Sequence, residues 1–336
     1  MKAMCLSRIA PLRDVPEPLS CREWPDPEPG PGQVLLRVLA CGVCHTEIDE
    51  IEGRTPPPRL PVVPGHQVVG RVVATGSGTA QLRVGDRVGV GWIWRSSGRD
   101  DENLSEQFVA TGRDVDGGYA ELMTVPEDYA CPLPAVFGDL EAAPLLCAGA
   151  VGYRALRLCG LRDGEPLGLT GFGASAHLVL QMARHRMPRS AIHVFARDPG
   201  QREFALALGA AWAGDTGDRS PEPLAAIVDT TPAWRPVLEA LRNLRPGGRL
   251  VINAISKQQD DQSELLRLRY DEHLWMEREI KTVANVTRAD VRECLALCAA
   301  IPVRPTVTAY PLRDANRALR DLAHGPGRGA KVLVVD

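Results

Sequence analysis

Cys44, His66 and Cys147 are the side chains of this 336-residue sequence whose types could together hold a reactive metal. Thiolate and imidazole ligands suit Zn²⁺, and three protein ligands with a fourth position left open make a catalytic zinc rather than a structural one. Cys44 closes the segment Cys41-Gly42-Val43-Cys44 and is followed by His45-Thr46. His66 follows Pro64-Gly65, and Cys147 sits in Pro144-Leu145-Leu146-Cys147-Ala148-Gly149. Taken singly, each has a plainer reading: a cysteine before Ala-Gly at a helix start packs a core, and a histidine after glycine satisfies a loop.

A second constellation points to a nucleotide. Gly171-Phe172-Gly173-Ala174-Ser175-Ala176 fits G-x-G-x-x-A between an expected strand and an expected helix. In that setting Gly171 and Gly173 let backbone approach a pyrophosphate, Ala176 closes the motif, and the amino end of the helix expected from about Ser175 offers free N–H groups. The end of the next strand reports which dinucleotide is taken, because an acid there holds the ribose hydroxyls of NAD. Here Ala196 occupies that place and Arg197 follows, which favours NADP(H) over NAD(H) through pairing with a 2′-phosphate. The competing reading is a solvated Arg197 with Asp198 serving as a displaced acid.

These residues need elements to position them. The first part of the chain is rich in valine, glycine and proline, with extended runs over 33–40, 67–74 and 83–90 separated by turn signals, as in a β-rich domain. From about Pro166 strands and helices alternate, the pattern of a doubly wound parallel sheet. Strands are expected over 167–170, 191–196, 224–229 and 249–253. Helices are expected over 175–185 and 288–300, with another through Val237, Leu238, Leu241 and Leu244 closed by Pro246-Gly247-Gly248. The terminal strand 331–335 is expected to rejoin the first domain.

Composition narrows the field further. With 44% hydrophobic and 24% charged residues and a net charge of -3, the chain has material for two cores and no basic excess for nucleic acid or a membrane. The amino terminus carries no apolar leader, so a cytoplasmic location is expected. There, nine cysteines read as buried residues, ligands or reactive thiols rather than disulfides.

In order and spacing, the C-G-V-C-H-T segment, the G-H segment with V-G-D-R-V after it, D-G-G-Y-A-E at 116–121, A-P-L-L-C-A-G and the nucleotide loop resemble the zinc-dependent alcohol dehydrogenases of the medium-chain dehydrogenase/reductase family. The resemblance runs over nearly the whole chain. It implies a GroES-like catalytic domain (1–149 with 286–336) and a Rossmann dinucleotide-binding domain (150–285). It implies that Cys44, His66 and Cys147 hold one catalytic zinc, with Cys41 outside the ligand set. Thr46 matches the hydroxyl that hydrogen-bonds the alcohol and starts proton removal, and Glu47 an acid that orients a ligand histidine. His45 and Lys331 match contacts to the cofactor pyrophosphate, and Trp92 a bulky wall of the substrate pocket, which suits small primary alcohols and aldehydes. Relatives of this kind are commonly homodimers or homotetramers.

The sequence also departs from the family. Many relatives carry a structural zinc on four cysteines, yet no cysteine lies between Cys44 and Cys131, so a single zinc per chain is expected and the lobe around 94–105 is expected to be held by packing or left mobile. Gln67 stands where glutamate is frequent, and Asp49 where many relatives have a relay histidine. An ordinary carboxyl holds a proton poorly at neutral pH. Two other functions compete: a zinc-free quinone or enoyl reductase of the same superfamily, and a non-catalytic nucleotide-binding protein.

Overall fold

The computed structural model describes residues 1–324 and 328–335. The strand Gln33–Val43 alternates buried Val34, Leu36, Val38 and Ala40 with outward residues, the period-two pattern of a strand with one face on a core. It is the hub of a seven-stranded sheet in the order Val307–Pro311, Ala330–Val334, Gln33–Val43, Gln67–Thr75, Arg87–Val90, Ala130–Pro132, with Leu122–Pro126 also paired to the hub. The terminal strand therefore does return to the first sheet: it lies antiparallel to the hub, with Lys331 opposite Val43.

The second sheet is parallel, in the order Trp212–Gly214, Ile192–Phe195, Leu167–Thr170, Leu224–Asp229, Leu244–Ile252, Glu279–Thr282. Its central strands are buried on both faces, which is why they read as unbroken apolar runs. Strand order reverses between Leu167–Thr170 and Leu224–Asp229, the point at which doubly wound sheets open a crevice at their carboxyl ends. The helices Ala176–Arg186 and Arg288–Ala300 lie where the sequence reading expects them.

Several expectations are corrected. The helix Arg235–Leu241 stops before Leu244, which instead opens a strand opposite Leu224. The stop is Asn243, whose amide nitrogen bonds the Glu239 and Asp218 carbonyls at 3.0 and 3.2 Å; Pro246-Gly247-Gly248 falls within the strand. The run 83–90 is a strand only over Arg87–Val90, because Gly85 adopts φ +98 and Asp86 accepts the Arg83 N–H, forming a turn. The edge strands Trp212–Gly214 and Glu279–Thr282 add to the expected set.

The two sheets share one continuous core, in which Ala40 and Val69 meet Leu145, Leu146 and the helix Ala150–Cys159. Asp290, wholly buried, ties that helix to Arg288–Ala300 through Arg154 at 2.5 Å and Arg157 at 3.0 Å. No helix among the described residues is long and apolar enough to cross a membrane.

Candidate active site

Cys44 and His66 come together because two paired strands end side by side. The hub strand stops at Val43, Cys44 caps the short helix His45–Ile51, and His66 immediately precedes Gln67, which pairs with Gly42. The third residue arrives from across the shared core: Cys147 lies in a π-helical turn, Leu145–Gly149, between two α-helical segments. Such turns swing a side chain out of helical register and recur at functional sites. One ligand atom from each of Cys44, His66 and Cys147 lies within 4.8 Å of the others, and His66 Nε2 is 3.3 Å from Cys147 Sγ. Tetrahedral zinc with ordinary bond lengths needs ligand separations of roughly 3.5–3.8 Å, so the donors fit the ion in number, type and spacing. Cys41 is outside this group, its sulfur packed toward Gly65 and Gly118.

The loop before His66 is shaped by close contacts. Gly65 has φ +99, and a Cβ there would lie 2.3 Å from the Tyr119 ring, so only glycine lets the tyrosine pack beside the ligand. Gly117, Gly118 and Tyr119 donate backbone bonds to Val63, Gly65 and Pro64, so the D-G-G-Y stretch braces the segment that presents His66.

Glu47 grips two ligands at once. One carboxylate oxygen is 2.5 Å from His66 Nδ1, both side chains being buried, and the other accepts the N–H of the half-buried Cys44 at 2.7 Å. The first contact leaves His66 Nε2 to face the metal position. Hydrogen bonds from Cys147 and then His66 hold the Cys44 thiol well below its ordinary pKa, while Cys147 is held well above by sharing its proton with Cys44. Burial opposes charge on His66, but the Glu47 carboxylate and the Cys44 sulfur outweigh it and raise the imidazole. The three donors are therefore already gathered, with the Cys44 sulfur as the acidic member and with protons on Cys147 and His66 that a bound cation would displace.

The expected proton-handling residues lie on the same helix. Thr46 Oγ1 is 3.6 Å from Cys44 Sγ. Asp49 is buried, and its carboxyl is pushed up to about 6 by that burial, against the opposing effect of Arg54 at 2.5 Å. The premise of an ordinary carboxyl at Asp49 is therefore corrected. Trp92 has its ring centroid 6.3 Å from that of His66 and 5.0 Å from that of Phe108, and the Arg113 guanidinium lies 5.4 Å over it. His45 is solvent-reachable, yet the surrounding protein lowers its pKa, with Arg54 and Lys331 adding to the effect and Cys44 resisting it. Lys331 is buried and forms no ion pair with a carboxylate among the described residues.

At the carboxyl ends of the parallel sheet, Gly171 takes φ +74 with Thr230 and Thr231 against it, and a Cβ on Gly173 would meet open space. That leaves room for a ligand to reach the backbone. Ala176 opens the helix. Behind the turn, Thr306 N–H donates to His177 Nε2 at 3.3 Å, so the ring proton belongs on Nδ1, which donates to the Gly173 carbonyl at 3.0 Å. Burial pushes this imidazole down to about 4. Arg197 is exposed two residues beyond the strand Ile192–Phe195, whereas the adjacent Asp198 caps the helix Pro199–Ala207 by accepting the Gln201 N–H at 2.8 Å.

The lobe without cysteines is held by a polar network that sequence reasoning missed. Glu102, buried, accepts from the Tyr129 hydroxyl at 2.9 Å and from the Arg288 N–H at 2.7 Å; Tyr129 accepts the Ser96 N–H, and Arg288 reaches the Gly98 carbonyl. Ser105 ends the short turn Glu102–Leu104.

Comparison with known proteins supplies context for this geometry. Residues 30–135 match the alcohol dehydrogenase GroES-like domain. The probable alcohol dehydrogenase AdhA of Mycobacterium tuberculosis is 43% identical over 320 residues, covering 92% of this chain and 90% of that protein. An alcohol dehydrogenase of Geobacillus stearothermophilus is 32% identical over 98% of this chain and its own full length. A cinnamyl alcohol dehydrogenase structure from Sorghum bicolor superposes with a TM-score of 0.85 at 24% identity, covering 99% of this chain and 97% of that one.

Proposed function

Because the chain belongs to the alcohol dehydrogenases of the medium-chain dehydrogenase/reductase family, we propose that it interconverts a small primary alcohol and its aldehyde, using one catalytic zinc per chain and NADP(H) in preference to NAD(H). The observation that carries this reading is the convergence of Cys44, His66 and Cys147 within 4.8 Å. It also favours this reaction over zinc-free reduction of a double bond. The division we adopt is 1–149 with 286–336 for the catalytic part and 150–285 for the dinucleotide-binding part.

Bound zinc supplies a Lewis acid for one oxygen, and the nicotinamide supplies or accepts the hydride. The remaining work falls to the chain. Cys44, His66 and Cys147 hold the metal, and Glu47 fixes the orientation of two of them. Thr46 Oγ1 receives the proton of the substrate hydroxyl, and Asp49, three residues further along the same helix and with its pKa raised to about 6 by burial, is the carboxyl assigned to take it on. Gly171, Gly173 and the helix at Ala176 take the pyrophosphate, with Lys331 as its cationic partner and the neutral His45 imidazole as a hydrogen-bond donor. Arg197 takes the 2′-phosphate, a reading supported by the commitment of Asp198 to its helix cap. Trp92 limits the bulk admitted beside His66.

We further propose a homodimer in the cytoplasm. Glu279–Thr282 is an exposed edge strand flanked by the exposed apolar side chains of Leu268, Tyr270, Trp275 and Met276. Antiparallel pairing of two copies about Ile280 sets Glu279 opposite Lys281 twice, a self-complementary contact. All nine cysteines are free, which suits a reducing compartment.

Zinc stoichiometry tests the central reading. Wild type should carry about one zinc per chain and reduce small aldehydes, and Cys44→Ser, His66→Ala and Cys147→Ser should each lose both properties. A zinc-free wild type at full activity refutes it.

A further inference from the structure

The Ser175 hydroxyl joins three segments distant in sequence. It donates to the Ala148 carbonyl at 2.9 Å, and the Asn253 side-chain nitrogen lies 3.1 Å from it. A hydroxyl has one proton and a carbonyl can only accept, so the proton points at Ala148 and the Asn253 amide donates into a lone pair of Ser175. The order of donation, Asn253 to Ser175 to Ala148, follows from that valence count.

Each end matters. Ala148 is the residue after Cys147, within the π-helical turn. Ser175 stands at the amino end of the helix that follows the glycine turn. Asn253 follows Leu244–Ile252 at the carboxyl edge of the parallel sheet, anchored by its N–H to the Asp229 carbonyl at 3.0 Å. A serine at a helix N-cap ordinarily turns its oxygen onto its own helix, but Ser175 makes no such cap bond and reaches across to the metal-site segment instead. The close approach is built in: a Cβ on Gly152 would fall 2.6 Å from Val179 and 3.1 Å from Ser175 Oγ, so glycine there lets the two helices meet.

We propose that Ser175 is a positioning residue that fixes the spacing between the turn bearing Cys147 and the dinucleotide turn, and so the distance over which hydride moves. The proposal rests on the zinc and nicotinamide reading above. Ser175 acts on the metal side through the Ala148 backbone and on the cofactor side through its own. Without its hydroxyl each segment still binds its own ligand, but their separation is no longer set. The loss therefore falls on the chemical step and leaves affinity intact. Misplacement by about 1 Å can cost on the order of 100-fold in rate.

The test compares wild type with Ser175→Ala, Asn253→Ala and the double variant. Zinc content, NADPH and NADH dissociation constants, the emission of bound NADPH, kcat for propanal reduction and the isotope effect with 4-deuterated cofactor are measured on the same preparations. Zinc content and dissociation constants should stay within about threefold of wild type, while kcat falls about tenfold or more in Ser175→Ala. The isotope effect should rise, the emission of bound NADPH should shift, and the double variant should be no slower than Ser175→Ala. If Ser175→Ala folds poorly, Asn253→Asp, which removes the donated N–H at constant shape, must slow kcat with the same signature. Unchanged kcat, multiplying losses in the double variant, or a loss explained by weaker zinc or cofactor binding overturns the proposal. A wild type that holds zinc and cofactor and turns over beside unaffected variants defeats this inference alone, whereas a wild type lacking zinc defeats the functional reading and this inference with it.

Discussion

Replacing Glu47 by glutamine keeps the shape of the side chain and turns one of its two accepting oxygens into a donor. In the native site one oxygen faces His66 Nδ1 at 2.5 Å and the other takes the Cys44 N–H at 2.7 Å, with exposures of 1% and 0% for the His66 and Glu47 side chains. Glutamine has one accepting oxygen. Turned toward His66, it points its NH₂ at the Cys44 N–H; turned toward Cys44, it offers a donor to Nδ1 and reverses the imidazole tautomer, placing the proton on the nitrogen that should bind metal. Either way one charge-assisted bond, of about 1.5–3 kcal/mol, is lost with no water to replace it. Spread over metal binding, this is a roughly 10- to 100-fold loss of zinc affinity, the range usual for a carboxylate behind a ligand histidine. Competition with a chromophoric chelator at fixed pH measures it directly. Glu47→Gln should give up zinc at correspondingly lower chelator concentration and regain activity in excess zinc. Wild-type zinc affinity in this variant would refute the claim that Glu47 preorganises both ligands.

Two further outcomes follow from groups near the site. Asp49 is pushed up to about 6 by burial, from an ordinary 3.8, so it keeps its proton below that pH and gives it up above; if it feeds the proton used in aldehyde reduction, kcat should decline as pH rises through about 6, and Asp49→Asn should be slower with that inflection gone. An unchanged inflection in the variant assigns it elsewhere. Glu102→Ala removes the acceptor shared by Tyr129 and Arg288, so unfolding in denaturant should cost about 3–5 kcal/mol less and the segment 96–105 should become sensitive to protease; a difference under about 1 kcal/mol would mean the lobe is held by packing alone.

The readable parts of this sequence were those in which one short segment carries its own reason. Gly171-x-Gly173 needs a positive φ and an open approach at stated places, and the central parallel strands are apolar runs, so both follow from local chemistry. Glu279–Thr282 was not legible because an exposed edge strand made of Glu, Ile, Lys and Thr has neither alternation nor a buried run. Leu244 sits at helical spacing from Leu241, but Asn243 binds two carbonyls and ends the helix between them. The Glu102 network was invisible because its partners are 27 and 186 residues away, and nothing local in Glu102 or Arg288 declares them. Asp49 illustrates the same limit energetically: its type is legible, whereas the burial that moves its proton is a property of the assembled fold. For Cys44, His66 and Cys147, the motifs named the candidates and their convergence is the added information.

The place of Ala330–Val334 bears on how the protein is made. That strand is interior, bonded to Val307–Pro311 on one side and to the hub strand leading into Cys44 on the other. During synthesis, then, Cys44 and His66 leave the ribosome long before the strand that completes their sheet exists. The parallel sheet, whose last strand ends at Thr282, can form first as a unit. Metal capture should accordingly be a late, post-translational event, and a nascent chain stalled short of the last strand should expose thiols that the finished protein conceals.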